Sequence, residues 1–493
     1  MNLALLSHEW SVVALGLALL LVDLWLPGPS KRKLGYVAAA GVGFIFLYSV
    51  FAVRLAPDEV RHAFGNMYAL DHLALFFKRF FLLATVVVLL MSVEFGEAIE
   101  TGIAEYYALI LFALSGMLFA ASANNFALLF VSLELITVTF YVLTSFQRAR
   151  LTSLEAGVKY LIIGALSTSF TVFGIALVYG VSAKLDFNEL AAVAAQFSGN
   201  KIFLFGLLLV MVGLGFKIAA FPFQLWAPDV YQGAPSPTTA FLAVGSKAAG
   251  FVLLLRVLFV AVPDVTAQWS KLVMVISAIT ILYGNLCALP QRNVKRLLGY
   301  SSIAHAGYLL LGIAAMAAAL THPTSDSHAG GSALLYYLSG YLFTVLGAFT
   351  VICLVMRQVD AEDISTLAGL HQRSPLLAVT MALAMVSLAG IPPLAGFFGK
   401  FLLFKAALAQ APAQPGFYCL VAVAVVGVVI SLYYYFGVVR VMFWPGNGAD
   451  VSPIQVSVPI QVSLYGCITG MFLLGLYPNW LVDVANTAVA SLR

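Results

Sequence analysis

The sequence is partitioned into runs of about twenty apolar residues, and such a run crosses the hydrocarbon core of a bilayer when it is helical. They lie near residues 8 to 26, 34 to 54, 71 to 93, 105 to 122, 124 to 146, 157 to 181 and 201 to 231. Further runs follow near 236 to 259, 271 to 290, 297 to 318, 331 to 357, 376 to 410, 416 to 443 and 457 to 480, which makes about fourteen spans. In lipid every backbone donor and acceptor must be paired within its own segment or around a closed barrel, and no run alternates apolar with polar residues. The expected fold is an all-α, polytopic membrane protein. Composition agrees, with 62% hydrophobic and 9% charged residues against about 45–50% and about 25% in soluble domains.

The charge pattern excludes several function classes. A net charge of +4, scattered along the chain with no basic block longer than Lys31-Arg32-Lys33, gives no expectation of nucleic-acid binding. Cys287, Cys353, Cys419 and Cys467 stand singly in apolar segments without CxxC spacing, so they read as small hydrophobes and not as iron–sulfur ligands. No GxGxxG follows a strand, which leaves nicotinamide binding and electron transfer to other chains. The run from Trp10 to Leu26 lacks a basic n-region and an A-x-A cleavage pattern, and it reads as a retained helix. With fourteen spans, Lys31, Arg32, Lys33, Arg148, Arg150, Arg292, Lys295, Arg296, Arg357, Arg373 and Arg440 fall on one side of the membrane. Arg54, Arg61, Lys184, Lys201, Lys271 and Arg493 fall on the other. Positive residues favour the cytoplasm, so the larger group marks that side and both termini are expected to be periplasmic.

Against this background, Glu134, Lys217, Lys247 and Lys400 sit near the middle of apolar runs. A charge at bilayer depth costs at least about 2.5–3.5 kcal/mol on insertion scales, so four of them point to a path for protons or ions. Two spans are overlong and interrupted. The seventh carries Lys217-Ile-Ala-Ala-Phe-Pro222, and the twelfth carries Gly390-Ile-Pro392-Pro393-Leu-Ala-Gly396-Phe-Phe-Gly399-Lys400. Proline removes a donor and clashes with the preceding turn, so each span should split into half-helices, with a lysine near each break. The breaks lie five spans apart. An odd repeat makes two copies run in opposite directions, which predicts inverted repeats at 105–260 and 261–443, flanked by three spans in 1–104 and one in 444–493.

The stretches from Phe216 to Phe241, from Lys295 to Tyr308 and from Gly390 to Phe401, together with Ser246-Lys247, resemble the antiporter-like membrane subunits of respiratory complex I over about residues 105 to 443. Lys400, where M-type members carry glutamate, and the short tail after the last span make the N-type branch the most similar. The resemblance implies proton translocation in an NADH:quinone oxidoreductase of the bacterial inner membrane. No cofactor is then bound by this chain, while NADH, FMN, iron–sulfur clusters and quinone are handled elsewhere in the complex. The implied partners are the neighbouring subunits M, K, J and A, the lipid bilayer and, indirectly, the peripheral redox arm. It also implies that Glu134 pairs with Lys217. Desolvation weakens a lysine's hold on its proton and a nearby carboxylate strengthens it, so a moving Glu134 would load and unload the lysine. Ser301, His305 and Tyr308 form a polar stripe placed to relay between Lys247 and Lys400. Lys159 and Lys405 are further candidate carriers near span ends, where snorkelling is the alternative. Asp229 reads as a turn residue, and Lys78 and Arg79 read as snorkelling side chains. A sodium/proton antiporter subunit of the multisubunit kind and a passive scaffold bundle are the competing functions.

Overall fold

The computed structural model describes residues 3–57, 59–99, 101–323, 327–357, 362–444 and 452–492. Arg493, one of the residues used to sort the loops, lies outside them. The chain is a bundle of membrane-length helices: Ser7–Asp23 (span 1), Leu34–Phe51 (span 2), His72–Phe95 (span 3), Ile103–Ala121 (span 4), Phe126–Thr144 (span 5) and Leu151–Ser182 (span 6). Span 7 is split into Lys201–Ile218 and Trp226–Gly233, and span 8 runs over Ser236–Ala261. Spans 9, 10 and 11 are Pro263–Ala288, Val294–Thr321 and Ala329–Met356. Span 12 is split into Pro375–Ala389 and Ala395–Gln410, and spans 13 and 14 are Gly416–Phe443 and Val458–Leu476.

Among the described residues 13 helices are long and apolar enough to cross a membrane. Fourteen spans and thirteen such helices agree once span 12 is considered, because its halves have 15 and 16 residues and neither crosses alone. The two broken spans each hold the fourth place in a set of five, spans 4 to 8 and 9 to 13.

Local chemistry sets the span ends. Asp71, Asn125, Asn200 and Asn293 each cap a helix N-terminus, accepting from Ala74 at 2.7 Å, Ala127 at 2.7 Å, Ile202 at 2.9 Å and Arg296 at 2.9 Å. Such caps contribute about 1 kcal/mol each by satisfying donors that the helix leaves free. Two features depart from the expected string of spans. Arg61–Ala63 and Tyr68–Leu70 pair as a small antiparallel hairpin between spans 2 and 3. Span 14 stops at Leu476, short of the expected 480, and Pro478–Ala490 forms one more helix, whose Leu481, Ala485 and Val489 are buried.

The layering decides where polar groups are tolerated. Spans 8 and 10 have 94% of their most apolar window buried and span 11 has 89%, whereas spans 6 and 13 have 28% and 33%. The first three therefore form the interior, and the site residues Lys247 and His305 ride on them.

A buried line of lysines as the candidate site

The first break places Lys217. Span 7 stops at Ile218, Ala219 turns into the left-handed region at φ 58°, and the chain restarts at Trp226. The Phe216 carbonyl freed by the break accepts from Trp226 Nε1 at 2.9 Å, and the Phe221 amide donates to Thr280 Oγ1 at 3.1 Å. Irregular backbone at membrane depth is thus paired by side chains, as the absence of water requires. Lys217, in the last turn of the half-helix, donates to Thr137 Oγ1 at 2.8 Å and reaches Tyr160 OH at 3.4 Å. Span 8 passes so close that a Cβ on Gly250 would lie 3.2 Å from Lys217 Cβ.

Glu134 lies one turn before Thr137 on span 5 and accepts from Thr168 Oγ1 at 2.7 Å. Its expected partner, Lys217, is on the other side of a small pocket lined also by Thr137, Ser167, Thr168 and Thr171. That pocket, of about 10 Å³, is the size of one water. Ser167 Oγ is buried there without a protein partner. Carboxylate and ammonium therefore share a chamber, and each holds a threonine in place of the other.

Lys247 follows directly on a π-helical turn, Leu242–Ser246, a distortion that recurs at functional sites. Its ammonium donates to the Ser302 carbonyl at 2.5 Å and to the Ser302 hydroxyl. That hydroxyl also meets Tyr231 OH at 3.1 Å and Tyr341 OH at 3.0 Å. Of the predicted stripe, Ser301 meets Tyr435 OH at 2.5 Å, while its neighbour Ser302 serves the lysine. His305 has a hydroxyl at each ring nitrogen, Tyr337 at 2.5 Å on Nδ1 and Tyr435 at 3.0 Å on Nε2. An imidazole held in this way takes a proton at one nitrogen and gives one up at the other. Tyr308 joins at the far end, its ring 5.1 Å from Lys400 Nζ and its hydroxyl 3.5 Å from Asn285 Nδ2.

Lys400 belongs to the second half of span 12 but serves the end of the first. Its Nζ donates to the carbonyls of Leu388 and Ala389 at 2.7 Å and 3.1 Å, groups left unpaired where a helix ends and favourable to a cation. Gly390 makes this possible, since its φ is +85° and a Cβ there would lie 2.9 Å from Lys400 Cδ. Both breaks therefore set a lysine at the C-terminal end of a half-helix, Lys217 in its last turn and Lys400 against its last carbonyls.

The remaining predicted residues lie elsewhere. Lys159 is partly exposed and pairs with Glu155 at 2.6 Å and Asp229 at 2.8 Å, and Arg296 donates to the same Asp229. Asp229 is thus an ion-pair centre and not only a turn residue. Lys405 is exposed. Lys78, read as snorkelling, is fully buried and bound to Glu9 of span 1 at 2.6 Å, because its face of span 3 turns into the bundle. Arg79 stays partly buried, donating to the carbonyls of Ser49 and Val53 at 2.8 Å and 3.0 Å. Sequence reasoning missed the tyrosines that surround these groups, Tyr160, Tyr231, Tyr337, Tyr341 and Tyr435. Their signal was a hydroxyl on an otherwise apolar interior helix, as in Tyr337 and Tyr341 four residues apart on span 11.

Among the described residues no group of three or more His, Cys, Asp or Glu side chains could hold a metal ion. The sequence family described as NADH:quinone oxidoreductase/Mrp antiporter, transmembrane, matches residues 123–431. The chain belongs to this family. The match covers spans 5 to 12 and the first part of span 13 and takes in Glu134, Lys217, Lys247, His305 and Lys400, leaving the first four spans and the last outside. NADH-quinone oxidoreductase subunit N of Desulforamulus reducens is 38% identical over 99% of this chain and 98% of its own length. A chain of respiratory complex I from Thermus thermophilus, at 30% identity, superimposes with a TM-score of 0.77 over 97% of this chain and 98% of its own. A chain of the Mrp complex from Dietzia has a TM-score of 0.83 over 100% and 98%, but at 21% identity that likeness concerns the fold alone.

Proposed function

We propose that this chain is a proton-translocating membrane-arm subunit of an NADH:quinone oxidoreductase, with Lys217, Lys247 and Lys400 as carriers, His305 as relay and Glu134 as the modulating carboxylate. The observation that carries this reading is the set of buried lysines, each bonded to hydroxyls or carbonyls, with the hydroxyl-held imidazole of His305 among them. With the ammonium groups enclosed, a proton leaves a lysine more easily than in water, and the nearest carboxylate controls how easily. In the described arrangement Glu134 is held by Thr168, and its swing toward Lys217 through the shared pocket would load the lysine. Moving one charge against 100 mV costs about 2.3 kcal/mol, so the carriers must change affinity and access together.

Electron chemistry belongs to partner chains of the same complex, which hold the NADH, FMN, iron–sulfur and quinone sites, with subunits M, K, J and A as membrane neighbours. The five-span sets at 105–260 and 261–443 act as inverted repeats. Arg32, Arg150, Arg296 and Arg357, on the cytoplasmic face of a bacterial inner membrane, put both termini in the periplasm. Lys159 and Lys405 are placed as surface groups near the ends of this route. The sodium/proton antiporter reading is disfavoured by full-length relatives at 36–39% identity that carry the oxidoreductase subunit N name. Lys217→Ala and Glu134→Ala, introduced singly into the assembled complex, should each suppress proton uptake by membrane vesicles during quinone reduction. Normal pumping in both would overturn the relay and favour a scaffold.

A further inference from the structure

A groove of about 640 Å³ opens on the surface between spans 2, 3 and 11 and the last helix, Pro478–Ala490. On span 3 it is lined by His72, Leu75, Phe76, Arg79, Phe80 and Leu83, residues three or four apart that make one face of the helix. From His72 to Leu83 this face extends about 16 Å at 1.5 Å per residue, roughly half of a hydrocarbon core of about 30 Å. The groove therefore has the depth of one leaflet. It begins at the end of the bundle that carries the hairpin, where Ser491, just past the last helix, accepts from the Leu73 amide at 3.2 Å. On span 11 it reaches a similar depth, because Ser339 is the eleventh residue of that helix.

The walls are apolar and aromatic except at Ser339, Thr487, His72 and Arg79. The two hydroxyls are taken up by their own helices, Ser339 donating to the Leu335 carbonyl and Thr487 to the Asp483 carbonyl, each at 3.0 Å. Arg79 Nη2 donates to the carbonyls of Ser49 and Val53, in the last turn of span 2 and just past its end. Its guanidinium is thereby drawn toward the hairpin-side end of the groove, away from the depth of its own Cα. Carbonyls orient this cation without neutralising it, and among the described residues no acid lines the groove. Glu9, Glu59 and Asp71, at the same end of the bundle, are each bound to another cation, Lys78, Arg61 and Arg256. His72, whose Nε2 lies 3.0 Å from the Ala56 carbonyl, and the exposed rings of Phe51 and Trp480 complete the lining, with a tryptophan as at membrane interfaces. An uncompensated positive charge thus meets an apolar groove one leaflet deep.

We propose that this groove binds one phospholipid of the hairpin-side leaflet, with its phosphate on Arg79 and an acyl chain laid along Phe76, Phe80 and Leu83 against Leu342 and Phe343. A helix of a neighbouring subunit would suit the apolar walls equally well, but it would have to bring an acid to Arg79. A phospholipid carries its anion at that level already. With no acid in the groove to receive an ammonium, the site takes a headgroup of net negative charge, as in phosphatidylglycerol, over a zwitterionic one. Bound there, the lipid joins spans 2 and 3 to span 11 and the last helix, apart from the lysines of the proton route.

The test uses the whole complex in phosphatidylcholine vesicles that contain a small, fixed fraction of phosphatidylglycerol bearing a diazirine midway along one acyl chain. After irradiation the labelled peptides of this chain are mapped. Label is expected on residues 76–83 and 339–343, and it should fall when unlabelled phosphatidylglycerol replaces part of the phosphatidylcholine. Phe173, exposed on span 6, reports bulk lipid and should not respond to that replacement. Arg79→Gln should lower groove labelling about fivefold relative to Phe173, the worth of one cation beside an anionic headgroup, while Arg79→Lys retains most of it. Groove label that follows Phe173 in both comparisons means bulk lipid only and overturns the proposal. Absence of groove label beside a labelled Phe173 also overturns it, and points to a neighbouring subunit as the occupant. Should Arg79→Gln fail to assemble, the replacement experiment on the unaltered complex decides by the same outcomes.

Discussion

Lys400 is held by two carbonyls and an aromatic face, an environment that would suit any cation, so the question at this residue is whether charge or titration matters. Arginine keeps the charge but does not release a proton at working pH. Lys400→Arg is therefore expected to assemble and to pump poorly, much as Lys400→Ala does, in vesicle proton-uptake assays. Retained pumping in the arginine variant with loss only in alanine would remove the carrier role. The threonine between Glu134 and Lys217 gives a second residue-scale prediction. Thr137→Val preserves shape but deletes the acceptor of the Lys217 bond, leaving a buried ammonium short of a partner and costing about 1–3 kcal/mol. A shifted pH profile of proton uptake with quinone reduction maintained is expected; an unchanged profile would show that the hydroxyl has no part in the transfer. The lysines themselves were legible because lysine in the middle of an apolar run is costly. Their hydroxyl partners were not, because a tyrosine in an apolar helix reads equally well as packing until its neighbours are known.

At the scale of elements, the broken spans set the geometry of the site. Gly390 at φ +85° lets the first half of span 12 end against Lys400, and an L-residue there meets both backbone strain and a contact at 2.9 Å. Gly390→Val is expected to destabilise the subunit by about 2–3 kcal/mol and to impair pumping, measured as a lower melting temperature of the complex and reduced uptake. Replacing Pro392 and Pro393 by alanine restores two amide donors and favours a continuous helix, so a polar gap should close and pumping should fall. Wild-type uptake in that variant would mean that the prolines shape packing alone. Both interruptions were legible from proline and glycine within overlong runs. The π-helical turn before Lys247 was not, since it contains no proline and Gly245 alone does not mark a break in a helix.

For the molecule as a whole, the N-terminal spans are fastened to the repeats by a buried pair, Asp71 with Arg256, where Arg256 Nε also donates to the Ala121 carbonyl at 2.8 Å. Removing one partner of such a pair leaves a buried charge uncompensated, at a cost of about 3–5 kcal/mol. Asp71→Ala is accordingly expected to lower the amount of assembled subunit in the membrane, measured by quantifying it in native gels. Asp71→Ala/Arg256→Met should recover much of it. An unaffected level in the single variant would mean that the spans are held by apolar packing alone.

The sequence by itself determined the membrane class, the number of spans, the positions of the two breaks and the burial of Lys217, Lys247 and Lys400. Each of these follows from hydrophobic length or from a single costly residue, which are properties local to a segment. Only the tertiary structure decided which face each charge presents. Lys78 and Lys159 read alike as lysines near span ends, yet the packing of the bundle buries one against Glu9 while the other remains at the surface among Glu155 and Asp229. In an all-apolar helix the sequence carries almost no periodic signal of inside and outside, because lipid and protein interior are equally apolar. The neighbour of each helix is then fixed by shape complementarity between segments far apart in the chain.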